Sequence, residues 1–341
     1  MSPMLCDAHV HFFSTQFFAT LAGQRQVATT DAIRHLGWDD PESAEALADR
    51  WVAELDAHGV SRAAIIASVP GDEDSVADAV ARHPARLTGY FMLDPTKDDA
   101  ENRVMRALER GVRGVCLFPA MHRYSLHDAR VARVAEILAA FAGPASHSPG
   151  PLASTTGEGD EPARQAALSG DATATESGRG GARPVLFVHC GVLSVGVRAK
   201  LGLPSPFDIT LGNPLHLHTL ALRFPTLPIV IPHFGSGMFR EALMVADLCP
   251  NIHFDTSSSN AWVKFTPGLT LEAVFETALQ ILGPERLLFG TDSSFFPRGW
   301  QRAVYNQQRT ALVSLGVPES HQSAIFTGNF ERVFGAAASE P

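Results

Sequence analysis

Eight short, continuously apolar runs recur along the chain, at 5–10, 63–69, 87–93, 114–118, 185–189, 229–233, 252–255 and 287–290. Runs of this kind are expected of parallel strands covered on both faces, where few positions meet water. Helical spacing fills the intervals between them. Leu47, Trp51 and Leu55 make one apolar face, with Asp40 and Pro41 as cap and first turn and Gly59 as the stop. Val131, Val134, Leu138 and Phe141 make a second stripe, and Leu271, Val274, Phe275, Ala278, Ile281 and Leu282 a third. Stretches 72–82, 97–110 and 237–248 also read as helices, the first with Asp72 as its cap. Strand and helix alternating eight times predict an α/β chain folded as a (β/α)8 TIM barrel, since doubly wound open sheets usually have about five to seven strands.

One segment departs from the alternation. Residues 143–183 are Gly, Pro, Ala, Ser, Thr and acidic residues, with Leu152 and Leu168 the only large apolar side chains. Such a composition buries too little surface to offset its ordering entropy. The alternation resumes beyond it, so the segment reads as a flexible, disordered insertion between the fourth helix and the fifth strand, and 1–341 as a single barrel. The 341 residues are 45% hydrophobic and 18% charged, enough apolar material for one large core. A balance of 27 Lys+Arg against 36 Asp+Glu, net -9, argues against nucleic acid and acidic membrane surfaces as partners. The 4 cysteines include no CxxC pair, which excludes a thiolate zinc site of that kind and suits a reducing compartment. With no long apolar window and no leader-like start, the expectation is a soluble cytoplasmic protein.

In a barrel of this kind the chemistry lies at the C-terminal ends of the strands. The first run ends Asp7-Ala8-His9-Val10-His11, and a period of two points residues 7, 9 and 11 to one face and Ala8 and Val10 to the other. The fifth run ends at His189, the sixth at His233, and the eighth is followed by Asp292. Four imidazoles and a carboxylate converging on one mouth are the donors a divalent ion of borderline softness needs, with a position left for water. A single histidine after an apolar run carries little weight; the set of five is specific. Asp7 has a second reading, as the acceptor that orients a neighbouring imidazole. His216 and His218 repeat the HxH spacing, but on a helical stretch, where residues two apart do not share a face, so they are not read as ligands.

The motifs Asp7-Ala8-His9-Val10-His11, Val188-His189-Cys190-Gly191, Pro232-His233-Phe234-Gly235 and Phe289-Gly290-Thr291-Asp292-Ser293 resemble those of the amidohydrolase superfamily. The similarity is closest to its amidohydrolase-related branch of metal-dependent hydrolases and decarboxylases, which includes aminocarboxymuconate-semialdehyde decarboxylase. The resemblance implies His9, His11, His189 and Asp292 as metal ligands, with His233 beside the reacting water as base or substrate-polarising acid. Binuclear members bridge two ions with a carboxylated lysine at the fourth strand end. Here that run is Gly114-Val115-Cys116-Leu117-Phe118, with no lysine anywhere from 98 to 183, so a mononuclear site is expected. Cys116 reads as a small buried hydrophobe rather than a ligand. Zinc fits the donors, and manganese is the alternative for a decarboxylase.

The ligand set serves two reactions. In hydrolysis, water activated at the ion attacks an amide, ester or lactone carbonyl, and Asp292 or His233 moves the proton. In the alternative, a non-oxidative decarboxylation, the ion anchors an aromatic or unsaturated carboxylic acid and His233 protonates its carbon. A noncatalytic metal-binding barrel is the third reading, disfavoured because a structural site would close every coordination position with protein. Arg123 and Arg298 are candidates for a substrate carboxylate, and Phe12, Phe13, Phe295, Phe296 and Trp300 for an apolar wall above the ion. The expected partner is a small molecule, and the branch's habits suggest a homodimer.

Overall fold

The computed structural model describes residues 5–142, 183–258 and 261–336. Residues 143–182 of the expected insertion lie outside them. Eight parallel strands run in sequence order around one sheet: β1 (Leu5–Phe12), β2 (Val60–Ala67), β3 (Leu87–Leu93), β4 (Gly114–Leu117), β5 (Val185–Val188), β6 (Ile229–Ile231), β7 (Ile252–Asp255) and β8 (Leu287–Leu288). The residues after β8 close the ring onto β1 through Ala8 N to Phe289 O (2.8 Å), Asp292 N to His9 O (2.9 Å) and His11 N to Ser293 O (2.7 Å). The chain is thus a TIM barrel, as the alternation predicted.

Alternating side chains divide the apolar residues between two layers. Ala64, Ile66, Tyr90, Met92, Cys116 and Phe187 fill the barrel interior. Ala63, Ile65, Phe91, Val115, Leu186 and Phe254 face outward onto the helices, beside Trp51, Val104 and Leu138. Gly114 is required by this packing: a Cβ there would lie 1.4 Å from the ring of Tyr90, its partner on β3.

The helices follow the apolar stripes, with corrections at their starts. The helix Ala44–His58 is capped by Ser43, whose hydroxyl accepts from Ala46 N, and not by Asp40, which instead turns the chain before it by accepting from Glu42 N. Gly59 ends it at φ 71, in the left-handed region that favours glycine. Asp72 precedes Glu73–Arg82 without capping it, since its backbone at φ -115 and ψ 17 departs from the extended geometry of a cap, and its Oδ2 accepts instead from the hydroxyl of Ser14 at 2.6 Å. Two helices in the β1 loop, Thr15–Arg25 and Thr29–Leu36, were not read from the sequence, although Phe17, Phe18, Leu21 and Ala22 have the spacing of one helical face. They pack with Val197 and Leu201 into a small separate core, against which Phe13 and Trp38 also lie.

Candidate metal centre

The site begins with an irregularity in β1. Asp7 pairs with Ala63 and Val10 with Ile65, so Ala8 and His9 together oppose the single residue Ala64, a β-bulge. The bulge reverses the alternation. Cys6 and Ala8 face inward below it, His11 faces inward above it opposite Ile66, and Asp7, Val10 and Phe12 all face outward. Asp7 is therefore not on the face of His9 and His11, as simple alternation predicted. It is wholly buried and accepts four hydrogen bonds, from His9 N (2.9 Å), Thr291 N (3.1 Å), Thr291 Oγ1 (2.6 Å) and Trp300 Nε1 (2.7 Å). Burial pushes its carboxyl up to about 6 against the pull of Thr291, His9 and Trp300. Its work is to tie the bulge to the turn that carries Asp292.

That turn is unusual in its backbone. Asp292 has φ 59, and His233 and the two residues flanking Gly235 are also left-handed, at φ 55, 52 and 45. Left-handed geometry costs a residue with a side chain about 1–2 kcal/mol. At Asp292 it is held by His9 O, which accepts its N–H, and by the Gln301 side-chain amide, which donates to Thr291 O (3.2 Å) and Asp292 O (3.1 Å). Strain maintained by such specific ties is characteristic of functional positions.

The result is a convergence of acceptors. Nε2 of His11 lies 3.0 Å from Asp292 Oδ1, and Nε2 of His9 lies 3.7 Å from the same oxygen. Among the described residues, His9, His11 and Asp292 form a group whose donor atoms all lie within 4.8 Å of one another. The other nitrogen of each imidazole is occupied. His9 Nδ1 meets the buried carboxylate of Asp255 at 2.6 Å. His11 Nδ1 meets Ser68 Oγ at 2.7 Å, and that hydroxyl donates onward to Ile66 O. Each partner is an acceptor, so the proton of each neutral ring sits on Nδ1 and a lone pair on Nε2. Two lone pairs and a carboxylate aimed at one point repel unless a cation lies between them. His9 Nε2 is buried with no hydrogen-bond partner, an orphan that such an ion would satisfy.

His189 and His233 complete the wall. The His233 ring lies 5.0 Å from that of His9 and 5.4 Å from that of His189, which stacks on Phe118. His189 lies outside the group of three, and its Nδ1 is buried without a partner. Burial lowers the pKa of both, most strongly at His189, so both are neutral at pH 7. Burial opposes a charged His9, but Asp255 outweighs it and holds the ring above its usual pKa. Burial likewise opposes ionisation of Asp292, and His11 overrides it, holding the carboxyl well below its usual range.

Asp255 and Ser257 went unrecognised in the sequence, though Asp255 ends β7 just as the other site residues end their strands. Ser257 Oγ lies 2.9 Å from Nδ1 of both His9 and His233. Gly290 allows this crowding, since a Cβ there would lie 2.7 Å from Asp255 Oδ1 and 3.0 Å from His9 Cβ. Of the expected apolar wall, Phe12 is buried on the outer face of β1, where alternation from His11 puts it, Trp300 packs in the same outer layer and donates to Asp7, and Phe296 packs on Trp51. Phe13 and Phe295 remain near the mouth, Phe13 with its ring 5.5 Å from that of His11. Arg298 lies beside Asp292, donating to its carbonyl, whereas Arg123 is exposed after the short helix Pro119–His122 and no hydrogen bond or ion pair joins it to the site. Cys116 is buried inside the barrel, where burial pushes its thiol well up, and it is not in the donor group. His216 packs against His127, apart from the centre.

Imidazole and carboxylate donors gathered at the C-terminal mouth of a parallel barrel define the class of barrel enzymes that use a divalent ion. A sequence profile of the amidohydrolase family matches residues 6–336, and the chain belongs to that family. An amidohydrolase of Burkholderia multivorans with bound zinc has the same fold, at 15% identity and a TM-score of 0.58, covering 98% of this chain and 99% of that one. A probable 2-pyrone-4,6-dicarboxylic acid hydrolase of Acinetobacter baumannii superposes at a TM-score of 0.55, with 13% identity, 97% of this chain and 99% of that one covered. Protein fluG of Emericella nidulans is 33% identical over 92 residues, 26% of this chain but 10% of that protein. No helix among the described residues is long and apolar enough to cross a membrane.

Proposed function

We propose that this enzyme is a hydrolase that adds water to the carbonyl of a small-molecule amide, ester or lactone, using a single divalent ion, zinc. His9, His11 and Asp292 would hold the ion, with His189 as the fourth protein ligand. A divalent ion bound there lowers the pKa of water and polarises a carbonyl. The observation that carries the reading is the pair of Nε2 lone pairs and the Asp292 carboxylate facing one another beside a neutral histidine, His233, that is tied elsewhere only through Nδ1. The carbonyl of Ser257, 3.2 Å away, accepts from that Nδ1 and leaves Nε2 as the basic atom of the ring. His233 then takes the proton of the attacking water at Nε2, or Asp292 does so, and the same group returns it to the leaving atom. Burial, which keeps His233 neutral, preserves it as a base. The hydrolase name of the Acinetobacter neighbour agrees with this reading.

His233→Ala should retain its zinc and lose about 10²–10⁴ in turnover. Unchanged turnover would remove His233 from the mechanism. The decarboxylase reading is separated by a panel of lactones, amides and aromatic carboxylic acids: carbon dioxide released from an aromatic acid, with no hydrolysis anywhere in the panel, would replace the hydrolytic assignment.

A further inference from the structure

The helix Phe239–Leu248 follows β6 on the outside of the barrel and buries Ala242, Leu243, Val245 and Ala246 in the outer layer of the core. Its other side carries Arg240, Met244, Asp247 and Leu248, the spacing of one helical face. A surface helix ordinarily turns polar residues outward, yet Met244 is 50% exposed and Leu248 63%. Between this helix and Leu271–Leu282 runs a groove of about 640 Å³, lined by Leu243, Met244, Trp262, Leu269 and Ile281, the last of them exposed as well. Exposed apolar side chains gathered around a groove mark an interaction surface. Arg240 and Asp247 also line it, seven residues or about 10 Å apart along the helix, with Met244 between them. Among the described residues Arg240 pairs only with Glu241, its neighbour in the chain, and Asp247 has no ion pair.

We propose that this face joins two copies of the chain into a two-fold dimer, with the helix Phe239–Leu248 of one packed antiparallel on the same helix of the other. The inference does not rest on the hydrolytic reading. A two-fold contact uses one patch twice, so the patch must complement itself. Turning a second copy about an axis through Met244 sets Arg240 of each copy opposite Asp247 of the other, lays Met244 on Met244, and brings Leu248 of each beside Arg240 at the other's groove. A cation at one end, an anion at the other and apolar side chains between them therefore match a reversed copy of themselves. A partner surface of a single sign would be attracted at one end and repelled at the other. Each copy carries a net charge of -9, so long-range forces oppose the pairing and the local ion pairs must offset them.

The test is sedimentation velocity of the full-length chain across the micromolar range, on wild type, Arg240→Asp, Asp247→Arg and an equal mixture of the two variants. Wild type should sediment as a dimer. Arg240→Asp sets carboxylate against carboxylate at both ends of the contact, and Asp247→Arg sets guanidinium against guanidinium, so each alone should dimerise about tenfold or more weakly. In the mixture opposite charges meet again at both ends, and the dimer should return. An acid in the first turn of a helix and a base in its last turn both suit the helix dipole, so neither variant should lose its fold, which circular dichroism and thermal unfolding check. A monomeric wild type leaves the groove to some other partner and overturns the proposal. Single variants that dimerise as wild type does place the contact elsewhere, and folded variants that stay monomeric when mixed refute the two-fold pairing.

Discussion

Replacing Asp255 with Asn keeps the side chain's shape and removes its charge, and the surrounding hydrogen bonds then force the ring of His9 into its other tautomer. Asp255 Oδ1 accepts from Ser257 N at 2.7 Å, and Oδ2 lies 2.6 Å from His9 Nδ1. A backbone N–H can only donate, so the amide oxygen of Asn must face Ser257 and its NH2 must face His9. An NH2 group also only donates. Nδ1 of His9 must then accept, and the ring proton moves to Nε2, the atom 3.7 Å from Asp292. One of the three converging donors loses its lone pair. The opposite amide orientation sets two donors against each other at Ser257, at a cost of about 1–3 kcal/mol. Loss of such a supporting contact typically weakens metal affinity about 10–100-fold, which is about 1.4–2.7 kcal/mol. Competition against a chelator measures that directly. The stabilisation of thermal unfolding by excess zinc should shrink by the same amount, since ligand binding to the folded state raises stability by mass action. Zinc affinity within about twofold of wild type would show that Asp255 does not set the orientation and tautomer of His9.

The same geometry bears on one more substitution and on pH. Gly290→Ala drives a methyl to within 2.7 Å of Asp255 Oδ1 and 2.9 Å of Ser257 Cβ, so it should cost about 1–3 kcal/mol in a denaturant melt and weaken zinc binding as well; a variant of wild-type stability would mean the crossing can relax. Because Asp255 raises the pKa of His9, the stability this pair contributes to the metal-free protein is present below about pH 6.5 and is lost as pH rises through the folded value. Zinc requires the neutral ring, so its affinity should rise by about tenfold per pH unit over that range and then level off; a flat affinity profile across it would place the proton elsewhere.

Most of the architecture was legible because it is repetitive. An apolar run followed by a helical stripe needs only local spacing to be seen, and eight of them suffice for a barrel. His9, His11 and Asp292 were legible for the related reason that they stand at strand ends. Asp255 satisfies the same criterion, standing at the end of the run Ile252-His253-Phe254. Asp7 was placed on the face of His9 and His11 because the face a residue presents depends on the phase of its strand, and an inserted residue reverses that phase without leaving a mark in the hydrophobic pattern. The aromatic wall was misplaced at Phe12, which alternation from His11 turns to the other face, and at Trp300, which stands in the loop after β8 where no periodicity applies.

The sequence by itself therefore determined the barrel, the mouth that holds the chemistry and the donor types gathered there, since all three follow from periodicity and position along a strand. Only the tertiary structure decided how those donors are aimed. The β1 bulge sends His9 inward and Asp7 outward, the left-handed turn places Asp292, and Asp255 and Ser68, from two other strand ends, assign the protons of His9 and His11. These are contacts between residues as far as 246 positions apart, and a hydrogen bond is set by angles and tenths of an ångström that spacing along one chain does not encode.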